Sequence, residues 1–465
     1  MTVFVCEGKG LYVAGFEVRG EWWLPGDEQH TVPGILVFEP TQGSTLSLLG
    51  ALRDIHHGAE RTVKDGVTTI KVTQASLDTA GVYPRVHGVV GGKAYTLEDC
   101  FREKIDMNLF SGAGQETIHV NRVLRGAWFG ADEPLHATAV TLQLAFLEDW
   151  IGESGITEVI PEVSSTSGAP AYALESRVLP TRTASIYDGR TLSLSHRVGL
   201  SGTVLSARSL TQEFYWRVEG QNSSIDDLVE IASDIQDLVS IATNQTASFR
   251  SLQFSRPEVH HKLPSGKKIE EPIEMFASWR TGEPGERRRS LMDPSLLFTF
   301  DQIGGVDGMG RWMEVAAQHR SALGRVMGSQ YATSMFVSDR LMNCAAALEA
   351  FDRARFDKKN TKFKTRLVQC AELAGEPFTK MVGNVAKWTE AVRQHRDDVA
   401  HHLGKIPNNA HIDTHYLWRS LHWLFILCML RACAAPDVVF TRLQAHADFL
   451  WVSKHVKVAA GSTAG

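Results

Sequence analysis

The hydrophobic pattern of the chain changes near Ser223-Ser224, and this change is the strongest constraint on its fold. Before it, short apolar or β-branched runs are separated by Gly, Pro, Asp and Asn, which is typical of strands joined by turns. The clearest runs are Gly34–Phe38, Ser44–Leu49, Val67–Val72, Ala137–Ala145, Ala184–Tyr187, Thr191–Leu194 and Glu213–Val218. This part of the chain is therefore predicted to form a sandwich-like or barrel-like β domain.

After Ser224, apolar residues recur at helical spacing. Ser224 precedes Asp226-Asp227, so it is predicted to cap a helix that starts at Ile225. A mixed stretch follows, with a predicted hairpin around His261–Lys268 and a charged loop at Thr281–Arg289. Beyond it, helices are predicted over 311–327, 333–356, 362–374, 381–403, 412–434 and 441–455.

The predicted fold class is α+β multidomain, with a β-rich N-terminal domain followed by an all-α antiparallel helical bundle. A chain of 465 residues is too long for one ordinary domain. The expected domains are 1–222 (β-rich), 223–328 (a mixed helical and β connector), 329–457 (the helical bundle) and 458–465 (a flexible tail).

Composition narrows the class of protein. The net charge of −5, from 48 basic and 53 acidic residues, excludes a wholesale basic surface for nucleic acid but leaves room for a local basic groove. The six cysteines include no C-x-x-C pair, which argues against a zinc site of the usual spacing and against a disulfide framework.

The sequence also gives expectations about location. The first residues lack a basic segment followed by a long apolar one, so no secretory signal is expected and the chain is predicted to be cytoplasmic. The most apolar stretch, Leu421–Cys433, contains Arg431 and is too short to span a bilayer. It is predicted to be a buried helix, and no membrane partner is expected.

One dense cluster of ionisable residues lies at the end of a predicted helix, Arg393-Gln-His395-Arg396-Asp397-Asp398-Val-Ala-His401-His402. Arginine holds a phosphate through a fixed fork of donors, and histidine moves protons near neutral pH. Together they can cleave RNA without a metal by deprotonating the 2′-hydroxyl, protonating the leaving 5′-oxygen and stabilising the phosphate.

The spacing of Arg396 and His401 is weak evidence by itself. About one such match is expected by chance in this composition, and Arg256 with His261 shows the same spacing. An exposed cluster of ion pairs with Asp397 and Asp398 is the alternative, because charged clusters on helices are usually solvated. The helical context therefore has to decide between the two interpretations.

That context resembles the HEPN superfamily, whose motif is Arg, a polar residue, and His after about four to six intervening residues, late in a helical bundle. Arg396-Asp397-Asp-Val-Ala-His401 fits this pattern, and His402 fits a spacing one residue longer. The helix Asp339–Phe351, which contains Glu349, is similar to the opening helix of the superfamily. Thr414–Ala435 is similar to the helix after the motif.

The first part of the chain is similar to an ApeA-type N-terminal domain. The segments that carry this resemblance are Gly20–Pro25, Gly34–Leu36, Leu46–Gly50, His87-Gly88, Ala94–Leu97, Arg125–Trp128 and Leu147–Trp150. One departure is Trp128-Phe-Gly, which stands where the family pattern has a Gly-x-His element. The whole chain resembles the ApeA family of bacterial anti-phage proteins, in which a β-rich domain precedes a HEPN nuclease.

The resemblance implies a metal-independent endoribonuclease that acts on RNA, with tRNA as the expected substrate, and arrests or kills the infected cell. Arg396 is predicted to hold the scissile phosphate and His401 to act as general base or acid, leaving 2′,3′-cyclic phosphate and 5′-hydroxyl ends. Asp397, Arg393, His395 and His402 are predicted auxiliary or RNA-binding residues. No metal ligand and no cofactor is expected.

A homodimer or higher homo-oligomer is also expected. Five helical positions turn through roughly 500°, which leaves Arg396 and His401 about 140° apart. The resemblance implies that a two-fold dimer brings both motifs into one cleft. Trp418, Trp423 and Phe425 are predicted to supply the apolar dimer face. The β domain is expected to sense a phage-derived trigger or to restrain the nuclease.

Two other functions are compatible with the sequence. The first is a non-enzymatic protein whose β domain binds a ligand and whose degenerate HEPN domain only dimerises. The second is a metal-dependent hydrolase that uses the histidine cluster. The second is disfavoured because no H-x-H or H-E-x-x-H pattern accompanies the cluster.

Overall fold

A computed structural model describes residues 15–53, 60–65, 67–71, 81–106, 114–159, 173–203, 205–262, 264–266, 268–278, 291, 295–332, 334–356, 360–401 and 410–461. The chain divides into two compact units, each assembled from separate segments. The first comprises 1–143, 219–229 and 248–287, and the second comprises 144–218, 230–247 and 288–465. The contiguous boundaries at 222, 328 and 457 stay a prediction.

Strands predominate in the first part of the chain and helices in the last. The strands are β1 (Phe16–Trp23), β2 (Val32–Glu39), β3 (Gly43–Leu49), β4 (Glu60–Lys64), β5 (Val67–Lys71), β6 (Val82–Val90), β7 (Lys93–Asp106), β8 (Gln115–Arg125), β9 (His136–Leu144), β10 (Ile156–Val159), β11 (Ala173–Ser176), β12 (Arg182–Ser185), β13 (Thr191–Gly202), β14 (Arg208–Ser224), β15 (Phe249–Ser255), β16 (His260–Lys262), β17 (Lys268–Glu270) and β18 (Ile273–Phe276). The helices are α1 (Leu147–Ile151), α2 (Ile225–Thr243), α3 (Phe300–Ile303), α4 (Gly305–Tyr331), α5 (Val337–Phe356), α6 (Phe363–Ala374), α7 (Glu376–Val382), α8 (Val385–His401), α9 (Ala410–Ala432), α10 (Asp437–Ala445) and α11 (Ala447–Ala459).

The first unit is built around a closed barrel. Six strands are hydrogen-bonded in the order β8-β3-β2-β1-β6-β7, and β7 pairs back with β8. All of these pairings are antiparallel. Closure gives every barrel strand two neighbours, so no edge is left along the ring. The prediction of a β-rich, barrel-like region is confirmed.

The barrel core follows the alternation of its strands. Leu36, Leu46 and Ile118 are fully buried, and so is Trp22. A Cβ atom on Gly88 would overlap the ring of Trp22, so glycine is required where these two strands pair. Trp23 is also buried. Trp22 therefore packs in the barrel core, whereas Trp23, on the opposite face of the strand, packs against His87 and Trp128.

The helices of the second unit pack around α9. Helix α5 contacts α4 and α9, while α9 also contacts α6 and α11. Helix α8 contacts α6 and α5. The segment Leu421–Cys433 is buried apart from the half-buried Arg431 and Ala432, so the prediction of a buried helix is confirmed. Among the described residues, no helix has both the length and the apolarity needed to cross a membrane.

The structure confirms some of the locally predicted caps, hairpins and helices and contradicts others. Asp227 donates its backbone N–H to Ser224 Oγ at 3.0 Å, and strands β16 and β17 pair, so the predicted cap and hairpin are confirmed. The predicted single helix over 441–455 is wrong. Two helices, α10 and α11, meet at His446, whose ring accepts the Asp448 N–H at 3.2 Å. A helix break thus coincides with this side-chain cap.

Two further predictions differ from the structure. The strand predicted over Ala184–Tyr187 ends at Ser185, and a short 3-10 turn follows at Tyr187–Gly189. The predicted helix over 381–403 begins at Val385 and is preceded by the separate helix α7. Pro377 lies in the first turn of α7, where a missing N–H does no harm. The charged loop Thr281–Arg289 lies outside the described residues.

Candidate functional site

Helix α8 carries the cluster of ionisable residues that the sequence singles out. Asn384 Oδ1 accepts the Lys387 N–H at 3.0 Å, which caps the start of the helix. Trp388 and Val392 are fully buried, and the Trp388 indole N–H donates to Ser420 Oγ on α9 at 2.8 Å. This buried face fixes α8 against the bundle, and Arg396 lies on the same face, one turn after Val392.

Arg396 lies where α8 meets α5 and α6. Its Nη2 donates to Glu349 Oε2 on α5 at 3.3 Å. Its guanidinium carbon lies 4.3 Å from the centre of the Phe363 ring on α6, a cation–π distance. The Arg396 side chain is 31% exposed. A carboxylate and a ring thus orient the guanidinium while part of it stays accessible to solvent.

Arg393 and Asp397 belong to a neighbouring chain of ion pairs. Arg393 Nη1 donates to Asp397 Oδ2 at 2.5 Å, and its Nη2 donates to Glu390 Oε1 at 2.6 Å. Lys364 Nζ donates to the other Glu390 oxygen at 2.6 Å. These hydrogen bonds, that from Arg393 above all, lower the pKa of Glu390 to about 2 and keep it ionised. Asp397 therefore engages Arg393 and not its neighbour Arg396.

His395 lies on a different face of α8. Its Nδ1 is 3.0 Å from the Ala391 carbonyl oxygen. A carbonyl can only accept, so Nδ1 carries the hydrogen and Nε2 is left as the proton acceptor. The ring lines an open groove of about 510 Å³ with Lys387 and with Ala459 to Gly461 at the end of α11. His395 is thus separated from the surroundings of Arg396.

His401 is the last residue of α8. Because the helix continues without interruption from Val385 to His401, the Cα atoms of Arg396 and His401 are about 140° apart around its axis. The side chain of His401 and the whole of His402 lie outside the described residues. The pairing of Arg396 with His401 or His402 therefore stays a prediction.

The structure adds neighbours that the sequence analysis did not foresee. Glu349 was singled out only as part of an opening helix, and Phe363, Glu390 and Lys364 were not singled out. The alternative interpretation paired the motif with Asp397 and Asp398, but Arg396 pairs with Glu349. These two residues are 47 positions apart in sequence, so no local pattern signals their contact.

The predicted apolar dimer face is wrong. Trp418, Trp423 and Phe425 are 9%, 1% and 1% exposed, respectively. Their side chains fill the core of the bundle within one chain, so they are not available to a second copy. The error arose because apolar spacing identifies a buried face without saying which surface buries it.

Other clusters of polar side chains show no sign of a ligand site among the described residues. Among the described residues, no three His, Cys, Asp or Glu side chains are grouped so that they could hold a metal ion. Within the barrel, buried Glu116 accepts hydrogen bonds from Tyr83 Oη at 2.6 Å, Leu52 N at 2.9 Å and Arg102 Nε at 2.5 Å. A buried carboxylate with three donors is satisfied internally, so this cluster supports the barrel.

The departure at Trp128 also has a structural explanation. The Trp128 indole N–H donates to the Gly88 carbonyl at 2.8 Å, and its ring packs against Trp23 and His87. His87 Nε2 lies 2.8 Å from the Phe129 carbonyl oxygen, so this ring nitrogen carries the hydrogen. Both side chains thus tie the segment after β8 to strand β6.

Comparison with known proteins identifies the larger part of the chain. The family model for ApeA N-terminal domain 1 matches residues 17–312, which is more than half of the chain. The match begins in β1 and extends into α4. No curated protein and no solved structure matches the chain in these comparisons. The chain belongs to the family of proteins that carry ApeA N-terminal domain 1.

Proposed function

We propose that this chain is an anti-phage defence protein whose helical region is a HEPN-type, metal-independent endoribonuclease, with tRNA as its expected substrate. Membership in the ApeA family indicates the defence role. The observation that carries the nuclease proposal is the placement of Arg396. It is oriented by Glu349 and Phe363, partly accessible, and five residues before a histidine at the end of the same helix.

The proposed chemistry uses protein groups throughout. The guanidinium of Arg396 holds the scissile phosphate and offsets the charge that grows on its oxygens. His401 takes the proton of the ribose 2′-hydroxyl or gives one to the leaving 5′-oxygen. The 2′-oxygen bonds to phosphorus as the bond from phosphorus to the 5′-oxygen breaks. The products are a 2′,3′-cyclic phosphate and a 5′-hydroxyl.

Helix geometry favours an assembly. The Cα atoms of Arg396 and His401 are about 140° apart on a regular helix, which does not direct both residues to one point. A homodimer that faces the motifs of two copies across one cleft would supply an arginine from one copy and a histidine from the other. We propose that the barrel senses a phage-derived trigger or restrains this nuclease.

A non-enzymatic function is the second candidate, and the same contacts favour it. An ion pair with Glu349 and a ring contact with Phe363 are also what an arginine with a purely structural role would make. In that case the helical region is a degenerate HEPN domain that dimerises, and the barrel binds the partner. Variants of the motif distinguish the two functions.

The test is to sequence cellular RNA ends after induction, with and without phage, for the parent, Arg396→Ala and His401→Ala. Arg431→Ala is a closely matched control. Arg431 donates to Asp437 at 3.3 Å, lies 3.6 Å from the centre of the Phe440 ring and is 30% exposed, which reproduces the surroundings of Arg396 elsewhere in the bundle.

We expect new 5′-hydroxyl ends at defined tRNA positions in the parent and in Arg431→Ala, and their absence in Arg396→Ala and His401→Ala. Matching RNA profiles in all four proteins, while the motif variants still protect infected cells, would reject the nuclease and favour the binding protein.

A further inference from the structure

A run of three rings lies on the surface of helices α9 and α11. The Tyr416 ring on α9 stacks on the His455 ring on α11, with centres 4.7 Å apart and planes 13° apart. The Trp451 ring follows, with its centre 4.1 Å from that of His455. Trp451 is 56% exposed. The run therefore ends in a large aromatic ring that is accessible to a ligand.

The charges near these rings favour an anionic ligand. Lys454 is exposed on the same helix, three residues after Trp451. The acidic residue in the first turn of α11, Asp448, is paired with Arg419, so its charge is balanced. Aromatic rings interleaved with basic side chains are the pattern that single-stranded nucleic acids bind.

The groove that contains His395 begins one helical turn beyond the rings. Ala459 follows His455 by one turn and lines this groove of about 510 Å³, together with Lys387, Glu390 and His395 of α8. A strand that stacks on Trp451 can therefore follow α11 toward α8, with a lysine on its path.

We propose that Trp451, His455 and Tyr416 form a stacking surface for the unpaired bases of RNA. Stacking tolerates any base sequence and requires bases that are free of a duplex. This inference rests on the proposed function because it assigns part of its substrate site. A second copy of the chain is the rival occupant, but a symmetric contact here would bring two identical basic surfaces together.

The test measures binding of short, fluorescently labelled oligoadenylate to the full-length protein by anisotropy. All proteins carry His401→Ala so that cleavage does not interfere. Trp451→Ala removes the accessible ring, and Trp451→Phe keeps a smaller one. Leu450→Ala is the matched control because Leu450 is the preceding residue on α11 and is 54% exposed. A labelled RNA duplex is measured in parallel, and sedimentation reports the oligomeric state.

We expect Trp451→Ala to weaken oligoadenylate binding about tenfold, since a stacked base contributes on the order of one tenfold step in affinity. Trp451→Phe, Leu450→Ala and all duplex affinities should stay close to those of the parent. Unchanged oligoadenylate binding by Trp451→Ala would overturn the inference. So would an equal loss for the duplex, or a smaller sedimentation coefficient without a change in RNA affinity, which would identify a contact between copies.

These outcomes separate the two proposals. Loss of oligoadenylate binding in Trp451→Ala, together with no new RNA ends in cells that express the parent chain, would support the stacking surface and reject the nuclease. New RNA ends that depend on Arg396, together with unchanged binding by Trp451→Ala, would support the nuclease and reject the stacking surface.

Discussion

Two ion pairs on the same face of helix α5 differ mainly in their exposure. Asp352 pairs with Arg366 at 2.6 Å, and both side chains are almost completely buried. One turn earlier, Glu349 pairs with Arg396 at 3.3 Å, and these side chains are 26% and 31% exposed, respectively. Residues three positions apart share a helix face, so the same face of α5 carries one buried ion pair and one that is accessible to solvent.

The difference shows that one helix can carry an ion pair that stabilises the fold and another whose arginine is free to contact a ligand. Breaking a buried pair leaves a charge without its partner in a poorly solvated place, which is strongly unfavourable. An accessible pair contributes little to stability, because water and ions can replace either partner. Arg396 can therefore exchange part of its contact with Glu349 for a phosphate. Arg366 cannot, because its side chain is buried and no ligand reaches it.

Arg366→Ala should have the largest effect on stability. It leaves Asp352 buried without this partner, so the free energy of unfolding should fall by about 3–5 kcal/mol. Urea denaturation followed by circular dichroism measures this change. The double variant Asp352→Leu, Arg366→Met removes both charges and should recover part of the loss. A change of less than about 1 kcal/mol in Arg366→Ala would mean that the two pairs do not differ as described.

Arg396→Ala should change RNA cleavage strongly and the free energy of unfolding only slightly. If Arg396 holds the scissile phosphate as proposed, its loss should lower RNA cleavage about 100-fold, which corresponds to about 3 kcal/mol of transition-state stabilisation. The free energy of unfolding should change by less than about 1 kcal/mol. Counting 5′-hydroxyl ends in infected cells and denaturing the purified protein measure the two quantities. A variant that unfolds as readily as Arg366→Ala would show that the accessible pair is structural.

Buried histidines should make the stability of the bundle depend on pH. Burial, assisted by Arg419 and Arg340, lowers the pKa of His422 on α9 from 6.5 to about 3, and burial also lowers the pKa of His319. Below about pH 6.5 the unfolded chain binds protons at these positions and the folded chain does not, so stability falls as the pH falls. Well below pH 6.5, His422 contributes a slope that approaches about 1.4 kcal/mol per pH unit, and His319 adds to it in the same direction.

Denaturation between about pH 7 and pH 5 tests this slope. His422→Asn removes one titrating group and should make the pH dependence shallower. If stability depends on pH as steeply in His422→Asn as in the parent, His422 is not a source of the pH dependence.

The smallest effect is expected at the exposed end of α8. Arg393→Ala removes the main hydrogen-bond donor to Glu390, so the pKa of Glu390 should rise from about 2 toward its ordinary value. A carbon-detected NMR titration of the Glu390 carboxyl group measures this directly. RNA cleavage should fall less than in Arg396→Ala, because Arg393 already engages two carboxylates. An equal loss of cleavage would place Arg393 in the reaction itself.

The sequence predicts features that depend on neighbouring residues. The alternation in β2 and β3, the Ser224 cap and the buried apolar run of α9 are each local in sequence, and each is confirmed. The contact between Arg396 and Glu349 joins two helices across 47 positions, so it follows from packing. Likewise, the apolarity of Trp423 predicts burial without revealing whether its own chain or a second copy covers it. The pairing of His401 with Arg396 stays a prediction.

The most direct test of the central claim compares the two partners of the accessible pair. Arg396→Gln and Glu349→Gln both break the ion pair, but only the first removes the group proposed to hold the phosphate. RNA ends sequenced from infected cells should show cleavage lost in Arg396→Gln and largely retained in Glu349→Gln, which positions the arginine. Equal losses in the two variants would show that the pair acts as a structural unit, and would contradict a catalytic role for Arg396.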